Sequence, residues 1–461
     1  LKMAEVASES DTGKALEHYR ELLAKAELSD SVLENIELLA HSNGDAETMK
    51  NVLERRIAVA GAPEDRAALL EKLGLVQAKQ LVDAESAAKS WLEGARAADA
   101  AGDDERAKRM YERVLGVSPD EAEAARRLIT LYAGSGAWQK IPEAFEVLHR
   151  TGTDERDVVS LLLSLEAPAV AEGAVEVFVV LTDGALEREG LEPARLRQLL
   201  LSRARVLTSS LSHRDEVAAI YRRVLESGAD DVQPAAEAFT VFLATGELTP
   251  ARIADRRWLF EWRAGRAADP TTVIIAWALA EETTLGNPAA AIELYKRVID
   301  RDGERLDALA QLARLQTTHG DAEGALSTLR SLREQSEGES RILAEISMVS
   351  LWIERLDRPS EALDTLAHLL DVAPQDAEVM RLTRALLAFE AVRADAAVLL
   401  EKVAENAESA AARSELLESL INVARGVDAL AEARARWYRK LLECREDDDE
   451  ATLAVALAGA E

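Results

Sequence analysis

Hydrophobic residues recur along most of this chain at spacings of three and four, the period of a helix that hides one stripe and wets the rest. In "AARRLITLYAGSGAWQKIPEAFEVL", Leu128 and Tyr132 share such a stripe, a Gly-Ser-Gly turn interrupts it, and Ile141 and Phe145 begin a second. The pattern predicts helix, turn, helix. Turn signals of the same kind fall at "SNGD" 42–45, "GDD" 102–104, "HGD" 319–321 and "DRPS" 357–360. Helix stops followed by fresh N-caps fall at "VSPDEA" 117–122 and "VAPQDAE" 372–378.

One phrase recurs inside that pattern. Tyr19, Tyr111, Tyr221, Tyr295 and Tyr438 are each followed by two charged residues and two aliphatics, so five of the six tyrosines share one local context. Four places before each aromatic slot stands an anchor, usually small: Ala15, Met49, Ala107, Ile141, Val217, Ala291, Ala325, Ala362 and Ala396. Four of the steps between anchors (15 to 49, 107 to 141, 291 to 325, 362 to 396) are 34 residues, a period typical of two-helix solenoids. An alanine there lets two helices approach closely, the aromatic fills the groove beside it, and the aliphatics seal against the next pair. The tyrosines are therefore expected to pack rather than react.

These residues resemble the tetratricopeptide repeat family. Trp91, Ala95, Ala107, Tyr111 and Pro119 match its unit in register, as do Leu128, Tyr132 and Phe145, Ala291 with Tyr295, and Ala362 with Pro374. The family's early Leu-Gly is clear at Leu73-Gly74; residues 150–210 fit poorly, and the step from Ala87 to Ala107 is short for a full unit. The resemblance implies an all-α solenoid of about twelve antiparallel helix pairs. It also implies a right-handed superhelix with first helices lining a concave groove, in a long array of the bacterial kind. Regular units are expected over 1–150 and 290–461, and degenerate units with longer helices over 151–289, as one continuous solenoid.

Composition agrees. Of 461 residues, 48% are apolar but only 4% aromatic, a profile that favours soluble helices over strands. The formal net charge of −29 excludes a general nucleic-acid binder and reads either as solubility or as attraction for a basic partner. The one cysteine, Cys444, cannot form an internal disulfide and reads as a packed residue. The longest apolar runs, "AVEVFVVL" and "TTVIIAWALA", are too short to span a bilayer, so direct membrane insertion is not expected. The cytoplasm is the expected compartment. The chain opens "LKMAEV" and stops inside a helical pattern, which reads as a segment of something longer and leaves the periplasm open.

Chemistry is sparse. The six histidines are scattered without a His-x-x-x-His or Cys-x-x-Cys pairing, "DTGKALE" lacks a phosphate loop's first glycine and final hydroxyl, and "CREDDDEA" lacks the spacing of a calcium loop. No catalytic residue, cofactor or metal is expected. Two features are candidates for binding a partner. At inner-groove positions stand Leu92, Arg96, Arg126, Thr130, Ala310, Arg314 and Arg381 in place of the lysine–asparagine clamp known in the family. These arginines suit a partner's carboxylate or phosphate, or else pair with nearby glutamates. Trp258 and Trp262, one turn apart, with Trp277, are either an aromatic docking patch or filler for an irregular pair. The expected function is a non-enzymatic scaffold that binds protein or peptide segments along a groove. Two alternatives stay open: a regulatory or sensor module of a larger protein with its effector elsewhere, and a self-assembling homo-oligomer.

Overall fold

The computed structural model describes residues 12–25, 28–187, 191–210, 213–407, 409–425 and 427–444. The acidic run after Cys444 and the opening "LKMAEV" lie outside the described residues. Among those described, the chain is all-α and divides into two compact units, residues 1–245 and 246–461. The division falls within the stretch expected to be degenerate.

Unit 1 runs α1 (Thr12–Lys25), α2 (Asp30–Ser42), α3 (Ala46–Val59), α4 (Pro63–Lys79), α5 (Ala84–Ala101), α6 (Asp104–Val117) and α7 (Ala122–Gly134). It continues with α8 (Ile141–Arg150), α9 (Glu155–Ser164), α10 (Glu166–Glu172), α11 (Val175–Leu186), α12 (Pro193–Thr208), α13 (Arg214–Glu226) and α14 (Gln233–Ala244). Unit 2 runs α15 (Pro250–Arg266), α16 (Pro270–Thr283), α17 (Pro288–Arg301), α18 (Leu306–Thr318), α19 (Ala322–Gln335) and α20 (Gly338–Glu354). It ends with α21 (Pro359–Val372), α22 (Ala377–Leu386), α23 (Arg393–Glu405), α24 (Ala410–Ala424) and α25 (Ala431–Cys444). Most consecutive helices within a unit pack on one another, making each unit a stack of hairpins.

The turns follow from two residues. Gly102 (φ 73°) and Gly320 (φ 83°) take the left-handed conformation that ends a helix. The aspartate after each starts the next helix: Asp103 accepts from the Arg106 N–H and Asp321 from the Gly324 N–H, both at 3.0 Å. Burial confirms the anchors. Met49 is 8% exposed and the other eight are completely buried, and the refrain tyrosines are all buried, Tyr438 the least so at 8%.

Side chains that skip one helix tie together alternate members of the stack. Lys72 of α4 reaches Glu37 of α2 at 2.8 Å, and Arg113 of α6 reaches Glu71 of α4 at 2.8 Å, so α2, α4 and α6 share a layer. Arg20 of α1 reaches Thr48 of α3 at 2.8 Å, and Arg127 of α7 reaches Asp99 of α5 at 2.9 Å, on the alternate helices. The short step from Ala87 to Ala107 has its explanation here. Helix α5 serves twice: Ala87 and Trp91 give it the second-helix signature toward α4, and Trp91, Ala95 and Ala98 give it the first-helix signature toward α6. Two glycines allow the fit, since a Cβ on Gly74 would lie 2.3 Å from the Trp91 indole and one on Gly94 would lie 2.9 Å from the Leu70 Cβ.

The poor match over 150–210 also has a local cause. Pro168 has no N–H and its ring crowds the carbonyl four residues back, so the first helix of that pair breaks into α9 and the seven-residue α10. Leu165 at the break stays buried, and both pieces pack on α12.

Candidate partner-binding site

A groove within unit 2 lies between α18 and α20, with α19 as its floor, and encloses about 840 Å³. Leu329, Leu332 and Leu351 make a buried apolar base. Leu306 and Leu343 stand at its edge, 37% and 57% exposed, in a chain that buries most leucines. Ala310 of α18 and Ser340 and Ser347 of α20 line the walls, and these small side chains leave room for another backbone to approach.

The polar groups of the groove are largely committed. Arg314 projects from α18 and holds both carboxylate oxygens of Glu282 on α16 at 2.7 Å, with Gln311 at 3.0 Å. Asp307 is tied to Arg305 at 3.0 Å, and Glu378 to Arg381 at 2.7 Å. The Arg381 guanidinium holds the Glu378 carboxyl below its ordinary range. Arg355 at the end of α20 lines the groove, and its guanidinium makes no ion pair or hydrogen bond among the described residues.

The other arginines expected at inner positions follow the rule of Arg314. Arg96 of α5 pairs with Glu123 of α7 at 2.6 Å, Arg126 of α7 with Asp157 of α9 at 2.9 Å, and Arg381 of α22 with Glu354 of α20 at 2.6 Å. Each joins first helices of neighbouring hairpins. The Thr130 hydroxyl bonds back to the Arg126 carbonyl at 3.4 Å, and Leu92 is half-buried. These four arginines thus lie on two units, and Arg314 alone of them lines the α18–α20 groove.

Trp258 and Trp262 do share one face of α15, both half-buried, with the Arg266 guanidinium 5.0 Å from the Trp262 ring centre. Trp277 belongs elsewhere. It stacks on Phe260 (centroids 6.0 Å apart, planes within 2°), and Phe260 points off another face of α15. The Trp277 indole N–H donates to Glu281 at 2.9 Å, and Arg257 holds the same carboxylate through two bonds of 2.7 Å.

Sequence reasoning passed over Leu343, Ser347 and Arg355. A signal existed: Leu343 sits three after Ser340 and four before Ser347, an apolar residue on a serine face. Among the described residues no group of three or more His, Cys, Asp or Glu is placed to hold a metal ion, and no helix is long and apolar enough to cross a membrane.

No curated protein matches the chain. Two solved structures similar to it are the APC/C hetero-tetramer Cut9-Hcn1 (14% identity, 94% of this chain and 90% of that one, TM-score 0.26) and Naa15/Naa10 bound to HypK-THB (14%, 98% and 85%, TM-score 0.23). At such scores neither carries an argument about this chain. The tetratricopeptide repeat family model matches residues 283–344, which span the end of α16 through the groove-lining start of α20. That match makes residues 283–344 similar to the tetratricopeptide repeat family, and the same capped hairpins and buried anchors recur on either side of them.

Proposed function

We propose that the chain is a non-enzymatic scaffold that holds a segment of a partner protein in the groove between α18 and α20. The observation that carries this reading is the pairing of two exposed leucines with an open apolar groove, where small residues admit another backbone. A segment seated there would cover Leu306 and Leu343 and bring an acceptor to Arg355. The hydrophobic contacts would supply affinity, and the unpaired guanidinium orientation. Arg314 would act through its ion pair, as a fixed wall of the groove.

The test is capture of native-extract proteins on the immobilised chain, comparing the natural sequence with Leu343→Asp and Arg355→Glu. Leu343 is exposed, so a carboxylate there disturbs the groove and spares the core. A protein retained by the natural chain and lost from Leu343→Asp supports the reading. A captured set indifferent to both substitutions rejects this groove as the site.

A further inference from the structure

A second groove, in unit 1 between α2 and α4, has a charge bias opposite to that of the whole chain. It encloses about 430 Å³ and is lined by Leu38, His41, Met49, Lys72, Leu75 and Lys79 among others. Its one carboxylate, Glu37, is buried and already satisfied by Arg56 at 2.5 Å and Lys72 at 2.8 Å. That leaves the His41 and Lys79 side chains facing solvent, with no ion pair or hydrogen bond of their own among the described residues. Between them Leu38 stands 66% exposed and Leu75 half-buried. In a chain of net charge −29, this is a local basic and apolar recess.

We propose that this groove docks an acidic, leucine-bearing segment of a partner protein. Apolar side chains of the segment would cover Leu38 and Leu75, while its carboxylates meet Lys79 and the His41 imidazole. A lysine-rich segment would confront the Lys72 and Lys79 ammonium groups and find no unpaired carboxylate in the groove to answer it. The chain's overall negative field favours the opposite order of ligands, but salt screens that field beyond about 8 Å at physiological ionic strength. At contact the groove's own groups decide, so net charge and groove chemistry predict opposite preferences.

The experiment titrates the full chain against two fluorescein-labelled peptides of matched length, reading anisotropy at physiological salt. Both carry leucines at helical spacing, one on a glutamate-rich frame and the other on a lysine-rich frame. The expected result is binding of the glutamate frame at least about tenfold tighter than the lysine frame. Lys79→Glu and Leu38→Asp should each weaken it about tenfold or more, while Val180→Asp, at an exposed position of α11 that lines neither groove, leaves it unchanged. Lys72 is kept as it is, because it neutralises buried Glu37. Preference for the lysine frame, equal affinity for the two, no binding of either, or indifference to Lys79→Glu and Leu38→Asp would each overturn the proposal.

Discussion

Glu281 is 1% exposed, and its two oxygens accept hydrogen bonds from Arg257 and the Trp277 indole. Removing one partner of such a pair costs far more than removing both, since the remaining charge is stranded without solvent. Arg257→Met should therefore destabilise unit 2 by about 3 kcal/mol, and Arg257→Met with Glu281→Leu should recover most of the loss. Urea unfolding followed by tryptophan fluorescence measures both; a double variant no better than the single would refute the account. A second residue-scale prediction concerns pH. The hydrogen bond from Arg96 holds the Glu123 carboxyl below its ordinary range, with burial opposing it. A depressed carboxyl stabilises the fold above its unfolded pKa and loses that contribution as pH falls through the folded value. The difference in Tm between the natural chain and Glu123→Gln should thus be largest near pH 7 and close toward pH 3, as circular dichroism can follow. A gap that widens on acidification would contradict the pairing.

At the scale of the element, glycine separates packing from propensity. In an open helical position glycine is a liability, and Gly116, whose Cβ would meet nothing within 4 Å, should gain about 0.5–1 kcal/mol on change to alanine. Gly74 should behave in the opposite way. Its missing Cβ is the space the rigid Trp91 indole occupies, so Gly74→Ala should cost about 1–3 kcal/mol. Chemical denaturation of the two variants decides; equal signs would show that α4 and α5 are less tightly matched than their geometry indicates. This scale also marks how much was legible beforehand. The anchors and refrain tyrosines were readable because period and residue type agree, and each proved buried. The double use of α5 was visible only as a step of the wrong length, because two signatures overlap on Trp91. The groove arginines could be picked out, but their acidic partners lie 27 to 32 residues away in sequence, and helix stacking alone brings them together. Leu343 was legible only through its neighbours: a leucine taken alone does not distinguish an edge from a core, whereas one between Ser340 and Ser347 on a single face does.

For the whole molecule, the division at residue 245 has a thermodynamic counterpart. In a stack where each hairpin touches only its neighbours, cooperativity extends as far as the interfaces are dense. Hydrogen exchange in mild urea should therefore report two blocks of amides, with Gly74→Ala loosening residues of unit 1 and Arg257→Met those of unit 2. A uniform response of all amides to either substitution would make the chain one cooperative body.

Helix α5 has one further consequence, for how long a ligand this protein can read. Before α5 the helices that open each hairpin, α2 and α4, lie in one layer, and from α5 onward the opening helices α5 and α7 lie in the other. A strip of opening helices therefore cannot continue past this point on the same side of the stack. A peptide laid across α2 and α4 runs out of matching surface after two helices. On the docking proposed above, recognition in unit 1 would be confined to a short footprint, and a longer ligand would have to supply separate motifs joined by a slack tether, with its selectivity set by their spacing.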